Sequence, residues 1–174
     1  VSLKVPKGKI VGIIGPNGSG KTTLFNSIVG HHPIDSGEIH FNGKEISSLT
    51  IPKIARLGML RTFQQTHIYG KMTCVQNMQI SSNIDADWKR VFNPFSKEVD
   101  EMVDELLSFV GLYKKRFLLA GDLSFGQQKL LEFAMALMKK PTILLLDEPT
   151  AGVNPTLING LIDRLRQVNE EKGI

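Results

Sequence analysis

Cysteine is almost missing from this chain. The one residue, Cys74, cannot close an internal disulfide, so a disulfide-stapled scaffold is excluded and a reducing compartment is expected. Its plain reading is a part-buried thiol. No apolar run approaches the roughly 20 residues that a bilayer-spanning helix needs, and no signal peptide is visible. If the protein works at a membrane, another chain is expected to do the spanning. There is no internal repeat and no low-complexity run, which excludes a solenoid or a disordered linker. Charge of one sign is not concentrated either. The net charge of +4 and pI of about 9.2 suit a protein that handles polyphosphate or sits near an anionic membrane face, but they are too diffuse to name nucleic acid. With 174 residues, 41% of them hydrophobic, the chain can build one core of ordinary size, with room for a subdomain.

The densest signal is Gly15-Pro16-Asn17-Gly18-Ser19-Gly20-Lys21-Thr22-Thr23, which satisfies the phosphate-binding pattern G-x-x-x-x-G-K-[ST] at every fixed position. Lys9–Ile14 reads as a buried strand entering the loop, and Thr23–Val29 as the helix leaving it. Glycines let the backbone turn so that successive N–H groups point at a phosphate chain. The following helix adds the positive end of its dipole. Lys21 brings a mobile charge to the outer phosphates, and the Thr22 hydroxyl is a candidate Mg²⁺ ligand. The loop predicts binding of a nucleoside triphosphate.

Both ends read as cut. Val1, Leu3 and Val5 alternate with Ser2 and Lys4 as if the chain opened in mid-strand, and Glu170–Ile174 reads as a helix end followed by the start of another element. After the first helix come a turn at Asp35-Ser36-Gly37, a short strand Glu38–Phe41, a hairpin turn at Asn42-Gly43 and the return Lys44–Ile46. Ile51–Leu57 reads as a short helix closed by Gly58, and Met59–Phe63 as a strand. From Met72 to Leu137 the period turns helical. Val99, Met102, Val103, Leu106, Leu107 and Val110 form one apolar face ended by Gly111. Leu130, Phe133, Ala134, Leu137 and Met138 form another. Asp85–Ser96 reads as a helix-linking insertion with Trp88, Phe92 and Phe95 packed under a loop. Thr142–Leu146 is a fully apolar strand of the kind buried in a parallel sheet. Pro155–Asn169 is helical, with Leu157, Leu161 and Leu165 at steps of four.

Ile143–Leu146 runs into Asp147-Glu148. A buried strand does not end in two acids unless a cation or positive partner waits there. Beside a phosphate-binding loop, the first acid is the candidate holder of Mg²⁺. The second projects differently and is the candidate that polarises the attacking water. About twenty residues upstream lies Leu123-Ser124-Phe125-Gly126-Gln127. Serine is a good N-cap for the helix that follows, Gly126 permits close backbone approach, and the helix start is a candidate second anion site.

Together these segments resemble the nucleotide-binding subunits of ATP-binding cassette (ABC) transporters over nearly the whole chain. The resemblance implies an α/β fold: a P-loop NTPase (RecA-like) core with a small antiparallel β part and a helical subdomain. It implies a single nucleotide-binding domain over residues 1–174, cut at both ends, with 1–65 and 138–174 as ATP-binding core and about 66–137 as the helical subdomain. Leu123–Gln127 looks like the family's LSGGQ signature, with Phe125 at a variable position. By resemblance, Ser124, Gly126 and Gln127 act on the γ-phosphate of ATP held by another subunit. Gln64 in Arg61-Thr62-Phe63-Gln64 resembles the glutamine that touches Mg²⁺ and the attacking water, with Gln65 as the neighbouring alternative. Ala151–Pro155 stands where the D-loop runs, with Asn154 in place of the usual acid. The family's adenine-stacking aromatic and switch histidine are not in the sequence; His31, His32, His40 and His67 stand at the wrong places and read as surface or turn residues. The chain is therefore expected to bind ATP and to hydrolyse it poorly alone.

Arg-Thr-Phe-Gln, the 85–96 insertion, Leu-Ser-Phe-Gly-Gln-Gln-Lys and Ala-Gly-Val-Asn-Pro narrow the likeness to the ATPase subunits of branched-chain amino-acid importers. Urea importers and lipopolysaccharide exporters share parts of the pattern. The implied function is an ATP hydrolase on the cytoplasmic face of the membrane, using ATP and Mg²⁺. Its implied partners are integral-membrane permease subunits and a second ATPase copy or paralogue, without nucleic acid. In this scheme Lys21 and Glu148 act with Gln64 in catalysis, and Thr22, Gln64 and Asp147 serve the metal. The rivals are a DNA-repair head and a ribosome-associated ABC protein. The first splits its halves with a long coiled coil, whereas only about a hundred residues, without sustained heptads, separate Lys21 from Ser124.

Overall fold

The computed structural model describes residues 1–62, 67–82, 96–150 and 154–174. They fall into two compact units. One holds residues 1–61, 141–147 and 168–174; the other holds 62–140 and 148–167. Residues 148–167 thus group with the helical unit, where the sequence reading placed them with the ATP-binding core.

In the first unit, helix α1 (Lys21–Ile28) begins at the lysine itself, two residues earlier than the periodicity suggested. Strands β1 (His40–Phe41) and β2 (Lys44–Glu45) form the expected hairpin, pairing His40 with Glu45 and Phe41 with Lys44. Its turn needs positive φ at both central residues, and Asn42 (49°) and Gly43 (77°) supply it. Helix α2 (Ile51–Arg56) carries Pro52 in its first turn, where the missing N–H costs nothing. The chain then reverses at Gly58 (φ 96°) into β3 (Met59–Thr62), which pairs with β4 (Ile143–Leu146). A Cβ on Gly58 would lie 2.7 Å from Thr142 Oγ1, so glycine is needed there for both space and φ. Val29, Ile46, Ile54, Met59 and Leu145 form this unit's core, with Phe25, Ile28, Phe41 and Leu57 packed against it.

The expected strand Lys9–Ile14 does not form. Ile10 and Ile14 are 63% and 98% exposed, and Val1, Leu3 and Val5 are exposed as well. An apolar run of this length becomes a buried strand only when neighbouring strands take its backbone groups and other elements cover both faces. Among the described residues, the sheet of β3 and β4 has no third member. For the same reason β4 is only partly buried, with Leu145 its one fully buried residue.

In the second unit, α3 (Cys74–Ser81), α4 (Lys97–Phe109) and α5 (Phe125–Leu137) pack on one another. Of the face read from the sequence on α4, Val103, Leu106, Leu107 and Val110 are buried, and Gly111 (φ 75°) follows as the left-handed residue that ends the helix. All five residues of the second apolar face, four on α5 and Met138 at its C-cap, are buried. Residues 83–95, most of the insertion, lie outside the described residues. Segment 69–75 is tied to 116–121 by Cys74 N–H to Leu118 O (3.1 Å), Ala120 N–H to Met72 O (2.8 Å) and Gly121 N–H to Gly70 O (3.0 Å). Helix α6 (Pro155–Lys172) closes the sequence of elements. No helix among the described residues is long and apolar enough to cross a membrane.

Candidate functional site

The loop Gly15–Thr23 lies within the first unit. Gly18 and Gly20 adopt left-handed backbone (φ 81° and 87°), and Gly20 is the N-cap of α1. Ser19 N–H donates to Pro16 O at 3.2 Å, and Leu24 N–H to Gly20 O at 2.8 Å, which closes the turn and starts the helix. The Lys21 ammonium folds back over the loop and donates to Gly15 O and Pro16 O, both at 2.8 Å. The ammonium can exchange both carbonyls for anionic oxygens. Pro16, Asn17, Ser19, Thr22 and Thr23 are exposed around it.

Asp147 follows β4 and is buried. Its Oδ2 accepts from Arg61 Nη2 at 2.8 Å, with the two side chains 7% and 5% exposed. Arg61 also donates through Nη1 to Asn26 Oδ1 on α1, and its guanidinium lies 5.8 Å from the Phe25 ring. Asn26 stands one turn beyond Thr22, on the same side of α1. The helix leaving the loop and the strand carrying the acid are thereby joined through one arginine. The sequence reading identified Asp147 but missed Arg61 and Asn26. The available signal was a lone arginine in the apolar run Met59–Phe63, of opposite charge to the acid at the end of β4.

In the second unit, Ser124 caps α5. Its Oγ accepts from Gln127 N–H (3.4 Å), while Gln127 Oε1 accepts from Ser124 N–H (3.2 Å), a reciprocal capping box. Lys115 Nζ donates to the same Gln127 oxygen at 3.1 Å, a neighbour that sequence spacing does not suggest. Gly126 is buried at the helix start and Phe125 stands exposed. Glu148 is exposed and has φ of 47°, a left-handed conformation rare for a side-chain-bearing residue. Of the two acids, Asp147 is buried and Glu148 is exposed. Gln64, its alternative Gln65 and Ala151–Val153 lie outside the described residues; Asn154 is exposed before α6.

The oxygen donors near the loop, the Thr22 hydroxyl and the Asp147 carboxylate, are hard ligands suited to Mg²⁺. Among the described residues, Asp147 Oδ2 is taken by Arg61 and no hydrogen bond reaches Oδ1. Also among those residues, no group of three or more His, Cys, Asp or Glu side chains is placed to hold a metal alone.

A family model described as ABC transporter matches residues 1–151. A probable branched-chain amino acid transport ATP-binding protein LivG of Archaeoglobus fulgidus is 39% identical, over 98% of this chain and 68% of its own length. The high-affinity branched-chain amino acid transport ATP-binding protein BraF of Pseudomonas aeruginosa is 37% identical, over 100% of this chain and 71% of its own. Among solved structures, the ADP conformation of an ATP-binding cassette of an ABC transporter superposes with a TM-score of 0.84 at 36% identity, covering 100% of this chain and 70% of that one.

Proposed function

The chain belongs to the ABC transporter family of ATP-binding, ATP-hydrolysing subunits, and from that premise we propose that it powers uptake of branched-chain or other amino acids through a membrane-embedded permease. The observation that carries the ATP-driven part is the loop Gly15–Thr23 closed on the Lys21 ammonium. The relatives' names support the cargo.

In this proposal, ATP enters the loop and its outer phosphates take the Lys21 donors from Gly15 O and Pro16 O. The loop amides and the α1 N-terminus carry part of the phosphate charge. A Mg²⁺ ion bound here would supply charge neutralisation on the outer phosphates. Thr22 and Asp147 would hold it, and Gln64, which lies outside the described residues, is the further candidate ligand. Glu148, exposed on a left-handed backbone, orients the attacking water and accepts its proton. Ser124, Gly126 and Gln127 receive the γ-phosphate of ATP bound to a second copy or paralogue. The capping box supports that role, because it fixes the α5 N-terminus before the partner arrives. Closure of the pair drives the permease, and the chain works at the cytoplasmic face as a peripheral subunit.

The test is sedimentation of the Glu148→Gln chain with and without ATP. ATP-dependent dimerisation is expected, and Ser124→Arg in the same background should abolish it, because a long cation would displace the capping serine and fill the phosphate position. A dimer that persists with Ser124→Arg refutes the trans role. Reconstitution with a branched-chain amino-acid permease and labelled leucine then tests the cargo.

A further inference from the structure

The proposed function makes no use of the positive charge beside Asp147. The carboxylate is buried and cannot stand uncompensated. Its compensation is an arginine that donates to Asp147 at 2.8 Å and to Asn26 on α1. A guanidinium anchored on both sides is a fixed part of the site, unlike a surface lysine that drifts with solvent. Mg²⁺ dehydrates reluctantly and takes one or two protein oxygens together with substrate phosphates. A single carboxylate already neutralised by a contact cation offers little attraction to free Mg²⁺.

We infer that Arg61 is the resident counter-cation of Asp147 and reserves that acid for metal arriving with nucleotide. The inference rests on the reading above that Asp147 serves the metal. With the loop empty, Arg61 cancels the acid's charge, so free divalent ions are repelled as much as attracted. With ATP in the loop, the phosphates bring negative charge in excess, and Asp147 would serve the metal that arrives with them. Arg61 acts through Asp147 and is a positioning residue.

The charge account differs from a plain strut in what each substitution does. Arg61→Lys keeps the charge and loses the planar fork. Arg61→Gln keeps an amide donor and loses the charge. The experiment titrates each nucleotide-free protein with Mn²⁺ as the probe, reading free aquo-Mn²⁺ by electron paramagnetic resonance, and repeats the titration with ATP. A unit charge at contact distance from a divalent ion in a partly buried site is worth well over tenfold in affinity, so about tenfold is the conservative expectation. Arg61→Gln should bind Mn²⁺ without nucleotide at least that much more tightly than wild type. Arg61→Lys should resemble wild type, and the Arg61→Gln/Asp147→Asn pair should lose the gain. Equal Mn²⁺ binding by the Gln and Lys variants overturns the inference. So does an Asp147→Asn protein that, without nucleotide, binds Mn²⁺ at least about tenfold more weakly than wild type, because the acid would then not be neutralised; that result stands even where Arg61→Gln fails to fold. If Asp147→Asn leaves Mn²⁺·ATP binding unchanged, the metal role of Asp147 itself falls and the inference with it. If Asp147→Asn weakens that binding while Arg61→Gln shows no gain, the inference alone fails.

Discussion

Asn77 offers the sharpest test of the packing in the helical unit. It is wholly buried on α3, and its side chain organises the segment leading into that helix. Oδ1 accepts from Tyr69 N–H at 2.8 Å, and the two Nδ2 hydrogens are shared among the carbonyls of Thr73 (2.9 Å), Tyr69 (3.1 Å) and Met72 (3.3 Å). Each of these carbonyls has a second donor: Asn77 N–H for Thr73 O, Met72 N–H for Tyr69 O and Ala120 N–H for Met72 O. Truncation to alanine therefore strands only one strong group, the Tyr69 N–H. That group costs about 1–3 kcal/mol, and the emptied amide volume adds to it, so Asn77→Ala should lose about 2–4 kcal/mol. Asn77→Asp keeps the acceptor for Tyr69 N–H but turns a carboxylate oxygen toward three carbonyls in a buried site. An uncompensated buried charge costs about 3–5 kcal/mol, so Asp should be worse than Ala despite being nearly isosteric. Urea unfolding of both variants supplies the free energies. A thermal scan should show a drop of roughly 2–4 °C per kcal/mol for a chain of this size. If Asp proves milder than Ala, or Ala costs less than 1 kcal/mol on the scale of a single net hydrogen bond, the network is not what holds this segment.

Three further outcomes are expected. Lys21→Ala should weaken ATP binding about a hundredfold in a fluorescent-nucleotide titration, and Lys21→Arg should not restore it, because a planar fork does not fit the place of a compact ammonium between two carbonyls. Gly30→Ala should cost about 2–4 kcal/mol in urea unfolding, since φ of 77° is left-handed and the new Cβ would lie 2.8 Å from Leu49 O and 3.0 Å from Ile54 Cδ1. Burial pushes the Cys74 thiol above its ordinary pKa; the neutral form is favoured in the fold, so its contribution to stability is complete below the ordinary thiol range and is lost as pH rises through the raised value. Urea midpoints compared between wild type and Cys74→Ala on the alkaline side should show that loss only in wild type, with slow maleimide labelling of the folded chain at neutral pH.

What the sequence by itself determined is local. The loop's left-handed glycines at 18 and 20, the Asn42-Gly43 turn and the Ser124 cap each depend on residues within a few positions, where φ restrictions and short hydrogen bonds decide the conformation. The apolar faces of α4 and α5 were legible because helical period and burial agree there. Spacing was also enough to single out Asp147 and Glu148 at the end of a strand. What only the tertiary structure decided involves distance along the chain. Asn26 and Arg61 are 35 residues apart and Arg61 and Asp147 are 86 apart, so no periodicity could pair them, although each side chain had a chemical reason to seek the other. Lys115 reached Gln127 through a turn of 3₁₀ helix that sequence spacing does not reveal. The run Lys9–Ile14 failed as a strand for the converse reason. An extended apolar segment specifies no partner of its own, and a strand exists only where another backbone accepts its hydrogen bonds.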